Sequence, residues 1–273
     1  MERSQTLWEI YPSISKMLTI FCLGFLLGSA AGLIGVGGGE FRIPVLLYIL
    51  KLPVVAAIAI NLLVGLLTVV TSFLRRLQLG LLSGRGLNIA IVMSPASIIG
   101  AYIGAALTGK IPEKPLKRIL AVFLITVGLK IGLEPFTGET VVSYLTLGLM
   151  EEFALTALVG LAIGIVSGLL GVAGGEYRIP ILIYIFSLDI VSAGTASLFV
   201  SIPTVASGFL KHQTMGHMNR NTTMIAIVIG LGSILGAFIG ASYVEAVEKG
   251  LLKMLLGVIL IFATVRMFTN REK

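Results

Sequence analysis

Eight apolar runs, each long enough to cross a bilayer, leave this chain few folds to choose from. They lie near 17–37, 53–74, 86–108, 116–134, 154–172, 190–210, 222–243 and 251–269. About 17–25 residues of helix cover roughly 30 Å of hydrocarbon. The short runs 43–50 and 179–187 are too brief to span alone. Only 12% of the residues are charged and 56% are hydrophobic, against about 25% charged in an ordinary soluble domain, and the mean hydropathy is +1.03. The sequence therefore predicts an all-α polytopic membrane protein. Its net charge of +7 comes from cations at the ends of the runs, such as Arg75, Arg76, Lys117, Arg118 and Lys211. That distribution fits membrane topology and excludes a continuous nucleic-acid-binding stripe. The single cysteine, Cys22, excludes an internal disulfide and is expected to pack. Residues 17–31 have the look of a secretory signal, but the stretch after them has a copy in mid-chain, so 17–37 is read as a retained helix.

That copy sets the organisation. "GSAAGLIGVGGGEFRIPVLLYIL" at 28–50 aligns without a gap with "GIVSGLLGVAGGEYRIPILIYIF" at 164–186, an offset of 136. The register holds across the halves: "IIGAYIGA" (98–105) meets "ILGAFIGA" (234–241), and Lys117 meets Lys253. The chain therefore divides into two homologous repeats, 17–136 and 153–273, each with four long helices and one short broken or re-entrant segment. A tail, 1–16, precedes them. An acidic connection, 137–152, with Glu134, Glu139, Glu151 and Glu152 in and beside it, is expected to lie outside the membrane. Repeats of this kind mark secondary transporter folds. If the short segment completes a crossing the repeats are inverted; if it turns back they are parallel. We favour inverted repeats, because two broken segments meeting from opposite faces build a site at the midplane. Glycines at 24/28/32, 160/164/168, 100/104 and 236/240 fall on single helical faces and predict packing seams.

Within each repeat the helix should stop at the glycine string, Gly35, Gly37, Gly38 and Gly39 in one half and Gly171, Gly174 and Gly175 in the other. Successive glycines cost about 1 kcal/mol each relative to alanine. Pro44 and Pro180 suit the first turn of a new short helix. Non-helical backbone at membrane depth survives only where protein or a cavity satisfies it. Beside these breaks stand four ionisable groups, Glu40, Arg42, Glu176 and Arg178. Two readings stay open. Either the acids and arginines pair and lock the broken helices, or the arginines hold an anionic substrate while Glu40 and Glu176 carry protons. On the following helix Asn61 aligns with Ser197, Thr68 with Thr204 and Thr71 with Ser207, a polar set spaced to face one cavity. Ser192 and Thr195 have no polar counterparts. No nucleophile with a base, no phosphate loop and no metal-ligand set is present, so neither enzyme chemistry nor a cofactor is expected. His212 and His217 fall in a basic loop.

The doubled "GVGGGEFRIPVLL" and "GVAGGEYRIPILI", with "SAGTASL" (192–198) opening the next helix and glycines at 80 and 216, resemble the signature of the TauE/SafE (sulfite exporter) family of membrane transporters. The resemblance covers about 20–272. It implies transport without ATP of a small anion, sulfite or an organosulfonate, across the inner membrane of a bacterial-type cell by a multi-pass protein. The partners so implied are the anion, protons and the lipid bilayer, with no nucleic acid. The family's glycine-proline signature falls on Gly35, Gly37, Gly38, Gly39 and Pro44, and on Gly171, Gly174, Gly175 and Pro180. Two departures stand out: Ala173 replaces a glycine, and the usually apolar residues before proline are Glu-Phe-Arg-Ile and Glu-Tyr-Arg-Ile. A passive anion channel and a non-transporting scaffold are the competing functions.

Overall fold

The computed structural model describes residues 14–108, 113–137, 148–214 and 220–269. Among these residues there are ten α-helices and no strand. The first half holds α1 (Ile14–Ile34), α2 (Gly39–Pro44), α3 (Val54–Gln78), α4 (Gly84–Leu107) and α5 (Glu113–Thr137). The second holds α6 (Leu149–Leu170), α7 (Gly175–Tyr184), α8 (Ile190–Thr214), α9 (Arg220–Ser242) and α10 (Lys249–Thr269). Four long helices and one short one thus recur in each half. Six of them, α1, α3, α4, α6, α8 and α9, are long and apolar enough to cross a membrane. The runs 116–134 and 251–269 fall on α5 and α10 and extend beyond the residues whose side chains are described.

The halves interlock. The main partner of α1 is α9, and that of α6 is α4. Both contacts run through the glycine faces. A Cβ on Gly24, Gly28 or Gly32 would fall well inside 3.0 Å of the backbone at Ile229, Ser233 or Ala237. One on Gly160, Gly164 or Gly168 would do the same at Met93, Ser97 or Ala101. Gly100, Gly104, Gly236 and Gly240 return the contact from the other side. Ser97 Oγ donates to the Gly160 carbonyl at 2.8 Å and its repeat equivalent, Ser233 Oγ, to the Gly24 carbonyl at 3.1 Å. Close backbones, not buried oil, hold helices together in lipid.

The same contacts give helix directions. Residue numbers rise together along α1 and α9, so these two are parallel, as are α4 and α6. Ile20 clusters with Leu50, Ala57 and Ile60, while Arg76 reaches the carbonyl of Gly32, so α3 runs beside α1 in the same direction. The chain must therefore return between them. It does so through α2 and the wider π-helical turn Val45–Ile49. The equivalent helices α3 and α8 are antiparallel, with Leu62 against Gly208 at one end and Arg76 against Gly194 at the other. So are α5 and α10, where Gly128 meets Leu260 and Pro135 meets Gly250.

Several sequence expectations need correcting. The short helices begin at Gly39 and Gly175, so Pro44 and Pro180 lie inside them and not in their first turn. Glycine supplies the left-handed N-caps Gly38 and Gly174, a job no proline can do. Glu134 does not join the outer acidic connection. It is 6% exposed on α5 and accepts from Lys253 Nζ at 2.6 Å and Tyr184 Oη at 3.0 Å, because the α5–α10 pair closes over it. Glu151 and Glu152 belong to the first turn of α6; Glu139 lies outside the described residues. His212 is in α8 and buried, not in a loop, because α8 continues to Thr214; His217 lies outside the described residues. Cys22 is exposed and not packed inside the fold.

At the start of α8, Asp189 Oδ1 accepts from the backbone N–H of Val191 at 3.1 Å and of Ser192 at 3.5 Å. It also faces Lys249 Nζ at 3.6 Å. Burial raises its pKa, but the Ser192 hydroxyl, Lys249 and the two N–H groups outweigh that and hold it below the usual carboxylate value. A lowered carboxylate stabilises the fold above its unfolded pKa, about 4, and loses that contribution as pH falls through its folded pKa. Asp189→Ala is expected to cost about 1 kcal/mol near neutral pH, as for other N-caps. The difference from the parent, followed by thermal unfolding in detergent, should shrink below about pH 4.

Candidate functional site

Both glycine strings break the helix as the sequence predicts. Gly35, Gly37, Gly38, Gly171 and Gly174 all have positive φ, a conformation that costs other residues dearly. The breaks face each other: Gly175 lies against the backbone of Val36, and Gly37 against Ala173. The space ringed by Gly37, Gly39, Asn61, Gly171, Val172 and Ala173 is too tight for a water molecule.

The two arginines project from the short helices onto α3 and α8, near the middle of each. Arg42 is fully buried. Its Nη1 donates to Asn61 Oδ1 at 3.0 Å and to the Asn61 carbonyl at 3.4 Å; Nη2 donates to Thr68 Oγ1 at 3.2 Å and the Gly37 carbonyl at 3.4 Å. Arg178, equally buried, repeats the first half of that pattern. Its Nη1 donates to the Ser197 carbonyl at 3.0 Å, Ser197 Oγ at 3.4 Å and Ser201 Oγ at 2.8 Å. Arg42 Nε and both Nε and Nη2 of Arg178 are buried with no hydrogen-bond acceptor. Such groups are costly unless an acceptor meets them. Glu40 and Glu176 are buried beside them, each acting electrostatically on the arginine two residues along.

Asn61 ties the halves together, donating from Nδ2 to the carbonyl of Gly171 at 2.6 Å. Thr68 and Thr204 both bond their own helix backbone, at Val64 and Val200, but only Thr68 is a partner of an arginine. Thr71 likewise bonds Leu67, whereas Ser207 reaches the Ile98 carbonyl at 3.2 Å. The structure thus gathers Arg42, Asn61 and Thr68 into one cluster and Arg178 and Ser197 into another, with the glycine breaks between. It leaves Thr204 to the side. Ser201 is a partner that sequence reading missed. Its equivalent is Gly65, so comparing the halves for matched polar residues passes over it.

Arg76 is the other omission. Grouped by its position with the cations at helix ends, it is 1% exposed and bonded to α1 and α8. Its neighbour Arg75 does behave as a rim cation, donating to Ser242 Oγ at 2.7 Å and lying over the Phe238 ring. A cavity of about 400 Å³ opens beside Val191, whose carbonyl accepts from Arg76, and is lined by Gly80, Leu81, Ser83, Asp189, Val191, Ser192, Val244, Glu245, Val247 and Lys249.

The doubled glycine breaks, each followed by its proline, carry the signature noted in the sequence, and the likeness extends along most of the chain. The profile described as "Sulfite exporter TauE/SafE" matches residues 4–131 and 155–273, one segment in each half. The chain belongs to the TauE/SafE family. Curated relatives include a "Probable membrane transporter protein YdhB" of Bacillus subtilis, 24% identical over 86% of this chain and 94% of its own length. A second from the same organism, YunE, is 24% identical over 90% and 95%. A third, ORF9 of Sinorhizobium, is 25% identical over 92% of each. No solved structure matches. As a TauE/SafE protein the chain is a multi-pass membrane protein and a probable membrane transporter, a role without enzymatic chemistry.

Proposed function

We propose that this chain is a secondary transporter that moves a small sulfur oxyanion, sulfite or an organosulfonate, by alternating access between its two glycine breaks. The observation that carries the reading is the pair of buried guanidiniums at equivalent places in the two halves. Between them they keep three nitrogens, Nε of Arg42 and Nε and Nη2 of Arg178, without an acceptor. A planar donor fork of this kind suits an oxyanion. Binding requires the breaks to part, since the space between them is closed. That favours a carrier over a standing channel.

Antiparallel α3 and α8, with antiparallel α5 and α10, support an inverted relation of the repeats across the membrane. They also support an orientation in the membrane. Once helix directions are fixed, one face receives the helix ends that carry Lys16, Lys51, Lys114, Lys117, Arg118, Lys211 and Arg220. The other receives 137–152, which has three glutamates and no lysine or arginine, together with Asp189, Glu245 and Glu248, against Arg75, Arg85 and Lys249. Positive residues stay in the cytoplasm, so the basic face is cytoplasmic and the Arg76 cavity opens outward, in a bacterial-type inner membrane.

Glu40 and Glu176 are the proton carriers in this reading. An anion arriving at Arg42 or Arg178 repels the carboxylate two residues away, and a proton on that carboxylate lets the two charges move together. Flux of sulfite, thiosulfate and sulfonates into proteoliposomes should saturate and follow an imposed pH gradient. Glu40→Gln should keep saturable flux but flatten its dependence on the gradient. Unsaturable current driven by potential alone would make the protein a channel.

A further inference from the structure

We propose that Arg76 is the latch of the outward gate, and that its counterpart on the opposite face, His212, makes the weaker one. The proposal rests on the carrier reading above. Arg76 sits in the last turn of α3 and uses all three of its nitrogens. Nε and Nη2 donate to the Gly32 carbonyl at 3.3 and 3.1 Å, Nη2 also to the Leu33 carbonyl at 2.8 Å. Nη1 donates to the Val191 carbonyl at 3.3 Å and Thr195 Oγ1 at 3.2 Å. The side chain therefore joins the end of α1, in one half, to the start of α8, in the other. These two helix ends stand between the outer cavity, which Val191 and Ser192 line, and the glycine breaks, where Gly35 touches the backbone of Gly194. An anion passing from the cavity to Arg42 and Arg178 must separate α1 from α8, and Arg76 holds them together.

The repeat makes the asymmetry testable. The position equivalent to Arg76 is His212, also fully buried, and the position equivalent to Thr195 is Ala59. An imidazole has two nitrogens against the five N–H donors of a guanidinium, and the alanine side chain offers no acceptor. His212 cannot make the five-bond bridge that Arg76 makes. Without substrate the carrier rests with its outer gate shut, and the inner gate is the one that opens.

Two equivalent valines report on the gates. Val36 and Val172 are both buried beside the breaks. In a Cys22→Ser background, Val36→Cys and Val172→Cys would be labelled with a membrane-impermeant anionic thiosulfonate in sulfite-free buffer, from outside in intact cells and from the cytoplasmic side in inverted vesicles. With Arg76 in place, the thiol introduced at position 172 should react from the cytoplasmic side and the one at position 36 hardly at all from outside. Arg76→Gln should raise the outside labelling of Val36→Cys at least fivefold and lower the cytoplasmic labelling of Val172→Cys. Arg76→Lys should restore part of the original pattern. Thr195→Val, which leaves the arginine in place, should give an intermediate shift if Arg76→Gln fails to fold. Unchanged outside labelling of Val36→Cys in folded Arg76→Gln or Thr195→Val protein that still binds sulfite would overturn the latch. So would a rise at both reporters, which means a loosened fold. Reaction of both reporters from both faces with Arg76 in place would instead overturn the carrier reading itself.

Discussion

Arg178→Gln is expected to abolish saturable sulfite flux and to weaken sulfite binding by at least about 30-fold, while Arg42→Gln weakens binding less and destabilises the protein more. The difference follows from how each guanidinium is occupied. Arg42 satisfies four acceptors, two of them on Asn61, which in turn holds the opposite break at Gly171. Arg178 commits only Nη1, to Ser197 and Ser201, and leaves Nε and Nη2 without an acceptor. The freer fork has more to offer an anion. Removing one partner of a buried charge pair costs about 2–5 kcal/mol, or roughly 30-fold to several thousand-fold in affinity. Titration calorimetry and thermal unfolding on the same purified variants separate the two effects. Equal sulfite affinity in parent and Arg178→Gln would show that the arginines serve the helices and not a substrate.

The second large effect concerns folding. Gly240→Ala and its equivalent Gly104→Ala should each lower the unfolding midpoint sharply, whereas Gly84→Ala should leave it near the parent value. A methyl at Gly240 would strike the Ser29 carbonyl, and one at Gly104 the Ile165 carbonyl, while one at Gly84 meets nothing within 4 Å. Relief requires whole helices to move apart, along seams that also carry the Ser97 and Ser233 hydrogen bonds. Overpacking of this kind costs about 1–3 kcal/mol or more. Midpoints for Gly240→Ala and Gly84→Ala that coincide would mean the α1–α9 contact yields without cost.

Much of this architecture was written in local pattern. Run length located the spanning helices, the offset of 136 exposed the repeat, and glycines every four residues marked the seams, because each is a property of one segment or of two near-identical ones. The glycine breaks were legible for the same reason, as was the pairing of Asn61 with Ser197. What escaped was set by three-dimensional neighbours. Arg76 looks in sequence like Arg75, and only the approach of α1 and α8 makes one a buried bridge and the other a rim cation. Ser201 has glycine as its counterpart, and only the reach of Arg178 from α7 sets it apart from the other serines of α8. Glu134 reads as part of an acidic connection until Tyr184 and Lys253 are brought to it by α7 and α10. Pro44 and Pro180 were placed by a rule for ordinary helix starts, which the left-handed glycines before them supersede.

The exchange of helices between halves also bears on how the protein is made. The hydrogen bond from Ser233 to Gly24 joins residues 209 apart, so α1 leaves the ribosome long before α9 exists. At about 5–20 residues per second that interval lasts on the order of 10–40 s. Throughout it α1 sits in lipid with its glycine groove uncovered. Neither half can complete its own seams, so the N-terminal half synthesised alone should be cleared by proteases. The two halves supplied as separate polypeptides in one cell should rescue each other, because each carries the helix the other is waiting for.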